Sequence, residues 1–354
     1  MTASPSTAPG SDPLADLAGP GGAAARAPVV SVVLGVHDHP TALAETLAGV
    51  LSQTLGDLEL VVVDDGSRDA GVQAVLADLS ARDPRIRAVR KRHEGLTRAL
   101  AEGCALARGR YIARIDAGDA MLPRRLERQA AALDACAGAV LATCATEFCG
   151  PDWEPLYVHG YPAAPAEGIR VVPESIGPNL LAGPTNHGSG MFRRSAYEQA
   201  GGYRWQFYYG QDWDLWYRMA ELGAFAFLPE VLCRCRLMPD GISSRHRRAQ
   251  ERIGRCSLEA FNLRRQRLDE APALARAAAI RPQAARPAPL SRWQRAEGLV
   301  LIGALLARNR DPRCQRYLEE ALRLAPAHPR VWWHVIRGHL ATRGRKPAEP
   351  QNRP

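Results

Sequence analysis

The chain has 354 residues, of which 46% are hydrophobic and 23% charged, and its formal net charge is +9 at pH 7. This composition is typical of a globular protein with one large or two ordinary domains. The longest apolar segment, residues 298–307, has about half the length that crosses a bilayer. We expect no nucleic-acid partner, because no recognised motif or aromatic-basic interleaving accompanies the positive charge, which is densest after Arg245.

The two ends of the chain show no targeting motif, and the cysteines show no metal-binding motif. Residues 1–28 are rich in Ala, Pro, Gly and Ser and lack the apolar core of a signal peptide, so we predict a disordered leader. Residues 346–354 are predicted to be a disordered tail. The eight cysteines are scattered through predicted core elements, and Cys233 and Cys235 are too close for the usual zinc pair. We therefore predict that the protein is cytoplasmic and that its cysteines are reduced thiols.

From Val29 onward, strand and helix signals alternate with short connections. Uninterrupted apolar runs predict strands buried on both faces, and apolar residues spaced three or four apart predict helices. This order predicts an α/β protein with a mostly parallel, doubly wound sheet and helices on both faces. The predicted strands are 29–36, 58–64, 86–89 and 111–115, and the predicted helices are 41–53, 70–81 and 96–107.

The regular alternation ends after residue 119. A helix at 123–133, a strand at 140–146 and a helix at 212–222 are separated by a long segment rich in Pro and Gly. Beyond residue 245 the pattern is helical, with an Ala/Pro linker near 271–290. We therefore predict two parts, an α/β domain at 29–245 and a C-terminal helical extension at 246–345.

Three pairs of acidic residues follow strands or begin a helix. Ligands of open α/β sheets bind at the carboxyl ends of the strands. Carboxylates there suit a metal ion bound to phosphates, or a base acting on a hydroxyl. Each acid alone could instead cap a helix. The pairs are Asp64 and Asp65, Asp116 and Asp119, and Asp212 and Asp214.

The order and spacing of nine short segments between Val29 and Ser244 resemble the family 2 glycosyltransferases, which have the GT-A fold, a Rossmann-like architecture. Members transfer a sugar from a nucleotide diphosphate donor to an acceptor hydroxyl and invert the anomeric centre. The segments include Val-Val-Asp-Asp-Gly-Ser and Gln-Asp-Trp-Asp-Leu-Trp. They are residues 31–38, 51–54, 62–67, 95–100, 107–119, 123–129, 191–195, 201–204 and 211–216.

The resemblance implies where the donor nucleotide binds. The main chain at Val36, His37 and Asp38 and the side chain of Asp65 would hold the nucleobase and ribose. A carboxylate that accepts the imide N–H of uracil favours a UDP- or dTDP-sugar. Arg98 would lie near the diphosphate, where its fork of donors suits phosphate oxygens, although a solvated helix arginine is an equal alternative.

The resemblance also implies a divalent cation, Mg²⁺ or Mn²⁺, held by Asp116 and Asp119. The cation would offset charge on the departing nucleotide. The chain departs from the family pattern at Gly118, where an acid is usual, and at Met238, where many relatives have a histidine and where a thioether binds a hard cation poorly. Weak metal binding, a metal-independent reaction or diminished activity would follow. Arg236, or Arg245 and His246, are alternatives for neutralising the phosphates.

Asp212 is the candidate general base, since a carboxylate at a helix N-terminus is stabilised as an anion; its alternative role is a helix cap. His187 is expected near the acceptor, or as a structural loop residue. Trp213, Trp216 and Tyr217 either form a sugar platform or pack in the core.

The predicted function is that of an inverting glycosyltransferase in the synthesis of a cell-surface polysaccharide or glycoconjugate, with a glycan or lipid-linked acceptor. The alternative is a catalytically weak GT-A domain that acts as a binding or scaffold module. The basic C-terminal region also suggests peripheral contact with the inner face of the membrane, on charge alone.

Overall fold

The computed structural model describes residues 26–160, 170–172, 183–281 and 290–342. The predicted tail and nearly all of the predicted leader lie outside these residues. The strands are β1 (Val30–Val36), β2 (Leu58–Asp64), β3 (Ile86–Arg90), β4 (Tyr111–Arg114), β5 (Ala120–Met121), β6 (Ala139–Cys149), β7 (Pro155–His159), β8 (Arg170–Val172), β9 (Met191–Arg193) and β10 (Ala224–Arg236). The helices are α1 (Pro40–Leu51), α2 (Ala70–Arg82), α3 (Leu96–Leu106), α4 (Arg125–Ala135), α5 (Arg194–Gln199), α6 (Gln211–Ala220), α7 (Ile242–Arg265), α8 (Ala271–Ala278), α9 (Arg292–Arg308), α10 (Cys314–Leu324) and α11 (Pro329–Thr342).

The strands form one sheet in the order β3-β2-β1-β4-β9-β6-β10-β5, with β7 paired to β6 and β8 paired to β10. The first four strands of this order are parallel, as predicted. Strand β9 is antiparallel to both β4 and β6, whereas β6 and β10 are parallel to each other. The sheet is therefore doubly wound on one side and mixed on the other.

The parallel strands separate two hydrophobic cores. Side chains of β1 alternate between them: Val32 and Leu34 pack with α1 and α2, and Val33 packs with α3 and α6. Helix α3 approaches β1 closely at Gly103, where a Cβ atom would lie 2.6 Å from Cγ1 of Val33. Apolar runs without polar alternation thus produced strands covered on both faces, as expected.

The helical extension packs against the sheet domain through several clusters of side chains. Phe261 of α7 stacks on Tyr217 of α6 with ring centroids 4.8 Å apart. Helices α9, α10 and α11 form their own core, which also includes Leu156 of β7. Among the described helices, none is long and apolar enough to cross a membrane.

The structure corrects the predicted linker near 271–290. Residues 271–278 form helix α8, which buries Ala273 and Ala277; residues 282–289 lie outside the described part of the chain. Pro272 occupies the first turn of α8, where its missing N–H would have no partner in the helix in any case. The Ala/Pro composition therefore indicated a helix start rather than a coil. Helix α7 also begins at Ile242, slightly before the predicted boundary at 245.

Candidate active site

The turn after β2 is built around two buried carboxylates. Oδ1 of Asp64 accepts the N–H of Ser67 at 2.8 Å, and its Oδ2 accepts Nε2 of Gln73 at 2.7 Å. Both oxygens of Asp64 are thus engaged in shaping the turn. Its neighbour Asp65 points to the other side of the strand end and holds a different loop.

Asp65 ties the loop before α3 to the end of β2. Its two oxygens accept the backbone N–H groups of Glu94 at 2.9 Å and Gly95 at 2.8 Å. Nδ1 of His93 lies 2.9 Å from Oδ2 of Asp65, and the His93 ring stacks on His37 with centroids 4.0 Å apart. The predicted nucleobase residue is therefore buried beneath a pair of stacked, half-exposed imidazoles.

The segment after β1 runs alongside this turn. The carbonyl of Val36 accepts the N–H of Asp65 at 2.8 Å. Oδ1 of Asp38 accepts the N–H groups of Arg68 and Asp69 at 2.8 and 3.1 Å. Burial opposes ionisation of Asp38, but these backbone donors outweigh it and lower its pKa. The structure thus brings together four of the predicted nucleotide residues, namely Val36, His37, Asp38 and Asp65.

Arg98 lies apart from the acidic cluster. Its Nη1 is 3.9 Å from Oε1 of Glu94, and its guanidinium lies 6.0 Å from the ring centroid of Trp205. Within the described part of the chain, no contact joins Arg98 to Asp116 or Asp119. The side chain of Arg98 is exposed, and its role near the diphosphate stays a prediction beside the alternative of a solvated helix arginine.

The turn from Asp116 to Asp119 is held by Thr46 of α1. The hydroxyl of Thr46 donates to the carbonyl of Asp119 at 2.7 Å and accepts the N–H of Gly118 at 2.9 Å. Gly118 has φ +100°, a backbone conformation that strains any residue with a side chain. This local geometry is a physical reason for the missing acid at position 118.

Arg114 is a functional candidate that the sequence reasoning missed. It is 1% exposed, lies at the end of β4 and forms an ion pair with Asp116. Its Nε and Nη2 have no hydrogen-bond partner among the described residues. Burial opposes its charge, but Asp116 and Asp119 raise its pKa, so the guanidinium stays protonated. The signal in the sequence that could have identified it is a charged residue within the otherwise apolar strand Tyr111–Arg114.

Asp119 and Asp212 have raised pKa values. Burial, followed by the charge of Asp116, raises the pKa of Asp119 to about 7. Burial is also the main cause that raises the pKa of Asp212 to about 6, while the N–H of Trp213 and the charge of Arg114 oppose it. Charges of Asp116 and Arg114 act on both groups, so the predicted base and the predicted metal ligands share one electrostatic environment.

His187 also belongs to this cluster. Its Nε2 lies 2.7 Å from the hydroxyl of Tyr203, and its ring meets Trp216 edge-on at 6.2 Å. Burial and the charge of Arg114 lower its pKa well below the usual value, which makes it a neutral hydrogen-bonding group at neutral pH.

Helix α6 contains the remaining predicted residues. Asp214 is buried, and its Oδ2 accepts Nε and Nη2 of Arg218 at 3.1 and 2.6 Å, which gives it a structural role. Trp216 and Tyr217 are also buried, whereas Trp213 is exposed. Of the predicted sugar platform, only Trp213 is open to a ligand.

Asp116 and Asp119 fit a divalent cation. Mg²⁺ is usually held by one or two carboxylates together with substrate phosphates and water. The charge of Asp116 raises the pKa of Asp119, and a cation bound by both carboxylates would offset that repulsion. No group of three or more metal-ligating side chains occurs among the described residues.

Arg236 is the one described side chain among the residues predicted to neutralise the donor phosphates near residue 238. Nη2 of Arg236 pairs with Glu45 at 2.8 Å, and its backbone N–H donates to Oδ1 of Asp119 at 3.0 Å. Met238 is exposed on a turn. The side chains of Arg245 and His246 lie outside those described.

Comparison with known proteins identifies the family. The family model described as Glycosyl transferase family 2 matches residues 31–199. EpsE of Bacillus subtilis strain 168, whose name describes it as a glycosyltransferase, is 31% identical over 225 residues, which cover 62% of this chain and 76% of EpsE. The amylovoran biosynthesis glycosyltransferase AmsE of Erwinia amylovora is 28% identical over 223 residues, covering 61% of this chain and 79% of AmsE.

A solved structure supports the fold. The mannosyltransferase PcManGT from Pyrobaculum calidifontis, in complex with GDP-Man and Mn²⁺, has a TM-score of 0.50 and 17% sequence identity, with 89% of this chain and 87% of that chain covered. The predicted GT-A fold class with a helical C-terminal region is confirmed. The family model and the curated relatives together show that the chain belongs to glycosyltransferase family 2.

Proposed function

We propose that this glycosyltransferase moves a sugar, with inversion, from a UDP- or dTDP-sugar to a hydroxyl of a glycan or lipid-linked glycan during synthesis of a surface polysaccharide. The observation that carries the proposal is the common environment of Asp116, Asp119 and Asp212 around the buried cation of Arg114. It combines a carboxylate suited to deprotonate an acceptor with two carboxylates suited to a phosphate-bound cation.

Asp212 is the proposed general base. A base is most effective when its pKa lies just below the working pH, and burial raises the pKa of Asp212 to about 6. Its Oδ1 accepts the N–H of Trp213 at 3.0 Å, which fixes the carboxylate at the start of α6. The other oxygen would take the proton of the acceptor hydroxyl as that hydroxyl attacks the anomeric carbon opposite the leaving group.

Asp116 and Asp119 are the proposed ligands of Mg²⁺ or Mn²⁺. When bound, the cation would neutralise charge that develops on the departing nucleoside diphosphate. PcManGT is in complex with Mn²⁺ and GDP-Man, which supports use of a divalent cation in this fold. Thr46 holds the backbone of this turn to α1, because its hydroxyl accepts the N–H of Gly118 and donates to the carbonyl of Asp119.

The proposed nucleotide pocket lies between the ends of β1 and β2. His37 and His93 provide a stacked aromatic surface above Asp65. Oδ1 of Asp65 accepts the N–H of Glu94 and keeps a second lone pair, to which a uracil or thymine imide could donate.

A catalytically weak domain that binds or scaffolds is the second candidate, and the absence of an acid at Gly118 and of a histidine at Met238 favours it. This candidate predicts nucleotide binding with little turnover. The presence of Asp212 with a raised pKa favours the active enzyme.

The proposed location is the cytoplasm, with peripheral contact to the inner face of the membrane. All eight cysteines are free, which suits a reducing compartment.

The experiment that tests the function measures calorimetric binding of UDP, dTDP, GDP and CDP with and without Mn²⁺, followed by hydrolysis of the matching nucleotide sugars. Binding of UDP or dTDP that Mn²⁺ strengthens, and that Asp116→Asn weakens, would support the proposal. Glu147→Gln is a control because its partner Arg234 lies outside the acidic cluster. Binding without turnover would favour the scaffold candidate, and the absence of nucleotide binding would overturn both.

A further inference from the structure

Helix α11 has apolar side chains on two opposite faces. Val331, Val335 and Gly338 are buried where α11 packs on α9 and α10. The opposite face is also apolar but exposed, to 51% at Trp333 and 62% at Leu340. A helix that is apolar on all sides is normally covered on all sides. The exposed apolar residues of this face are Trp332, Trp333, Ile336 and Leu340.

Cations border this apolar face. A groove of about 650 Å³ between α9 and α11 is lined by Leu301, Arg308, Arg310 and Arg337, among others. The guanidinium of Arg337 lies 4.5 Å from the ring centroid of Trp333. Of the carboxylates whose side chains are described, none forms an ion pair with these three arginines. The sequence continues after α11 with Arg343, Arg345 and Lys346.

We infer that this face, which we call the α11 surface (Trp332, Trp333, Ile336, Leu340, Arg308, Arg310 and Arg337), docks on an anionic lipid bilayer. Tryptophan side chains favour the boundary between headgroups and acyl chains, because they combine a large apolar ring with a polar N–H. Arginines beside them would meet anionic headgroups, which attract cations close to the membrane surface.

Charge argues for a bilayer over a second copy of the chain. A two-fold symmetric dimer would place the same patch against itself, and the arginines of one copy would then face those of the other. An anionic bilayer neutralises these charges and covers the apolar residues simultaneously. The inference rests on the proposed peripheral membrane contact. Net charge suggested only the C-terminal region for that contact, whereas the inference assigns it to the residues of the α11 surface.

The test is sedimentation of the full-length protein with vesicles of phosphatidylcholine alone or with about 30% phosphatidylglycerol, at low and high salt. We expect the wild type to bind the anionic vesicles at least tenfold more strongly than the neutral ones. Trp333→Ser with Ile336→Ser should weaken that binding about tenfold or more. Arg308→Glu with Arg337→Glu should remove the preference for anionic lipid.

Two control variants change exposed residues elsewhere. Leu268→Ser replaces an apolar side chain that is 54% exposed, and Arg82→Glu reverses a charge on α2; both should bind vesicles as the wild type does. Thermal unfolding of every variant checks that the fold is intact, which is expected because the substituted side chains are exposed.

Three outcomes would overturn the inference. The wild type could stay in the supernatant with anionic vesicles, or the α11 variants could sediment as the wild type does. A dimer that the apolar variant dissociates would show that a second copy covers the surface. UDP binding measured on the same samples separates this inference from the proposed function: a wild type that binds UDP but not anionic vesicles contradicts only the membrane surface.

Discussion

The guanidinium of Arg114 is buried and pairs with Asp116, whose side chain is 42% exposed. A buried cation thus lies beneath an acid that reaches the solvent. The same charge lowers the pKa of Asp119 and Asp212, although burial raises both overall. Arg114 therefore favours the ionised form of Asp119 and Asp212, whereas the charge of Asp116 favours their protonation.

The first prediction concerns the pH dependence of sugar transfer. Asp212 must be ionised to accept a proton, and its pKa is about 6. We expect kcat/KM to fall about tenfold per unit below that pH and to level off above it. Initial rates at subsaturating donor between pH 4.5 and 8 measure this limb. A profile that stays flat through pH 5 would contradict the assignment of Asp212 as base.

The second prediction concerns Arg114. Arg114→Met removes the buried positive charge, so the pKa of Asp212 should rise and the acid limb should move to higher pH. Arg114→Lys keeps a cation and should leave the limb closer to its wild-type position. The measurement is the same pH profile for both variants. If the methionine and lysine variants gave identical limbs, the charge of Arg114 would have no part in setting the ionisation of the site.

The third prediction separates catalysis from stability on α6. Asp212→Asn should lower kcat by about 10²–10⁴-fold, because the base is lost, while nucleotide affinity stays near the wild-type value. The folded-state pKa of about 6 exceeds the ordinary aspartate value of 3.8. The folded protein therefore binds more protons than the unfolded chain between these pH values, and it loses stability as pH rises through them. Removing the ionisable group should therefore raise the thermal midpoint at neutral pH.

Asp214 is the matched control on the same helix. It is buried against Arg218, and removing one partner of a buried ion pair costs about 3–5 kcal/mol. Asp214→Ala should therefore lower the free energy of unfolding measured in denaturant. A fall in kcat without loss of stability in this variant would move the catalytic role from Asp212 to Asp214.

The fourth prediction concerns the turn that presents Asp116 and Asp119. Thr46→Val conserves shape but leaves the N–H of Gly118 without its acceptor, which costs about 1–3 kcal/mol. We expect weaker Mn²⁺-dependent nucleotide binding, because the turn is no longer held to α1. Thr54→Val removes an exposed hydroxyl bonded to Glu127 and should leave binding unchanged. Equal effects of the two variants would show that Thr46 does not position the turn.

The first half of the sheet was predictable from sequence because each signal is local. Strand β2 was predicted at 58–64 and occupies Leu58–Asp64, and α3 was predicted at 96–107 and occupies Leu96–Leu106. Apolar periodicity determines which faces are covered, and short connections determine the strand order there. The turn acids followed from the same logic, since they come directly after predicted strands.

The remainder depended on contacts between distant residues. Strand β9 inserts between β4 and β6 in antiparallel orientation, which three residues of local pattern cannot encode. The hydrogen bond from the backbone N–H of Arg236 to the carboxylate of Asp119 joins positions 117 apart in the chain. Arg114 was visible as a charge in an apolar strand, but its burial among acids depends on how β4 meets the loop of His187. Tertiary placement, rather than residue type, made it a candidate.

The last prediction concerns how the helical extension attaches to the sheet domain. Glu154 follows the turn after β6 and is fully buried, where it accepts Nη2 of Arg316 at 2.6 Å and the hydroxyl of Tyr317. Glu154→Ala leaves the buried hydroxyl of Tyr317 and the half-exposed guanidinium of Arg316 without this acceptor. We expect it to lower the free energy of unfolding by about 1–3 kcal/mol. Asp152→Asn is the control, because Asp152 also contacts Arg316 but is 67% exposed, and such a pair contributes about 0–1 kcal/mol.

Denaturant unfolding of both variants, with limited proteolysis between the sheet domain and α9, tests the difference in stability between them. Equal stability of the two variants would place the attachment in the apolar contacts of Leu156 and remove Glu154 from it.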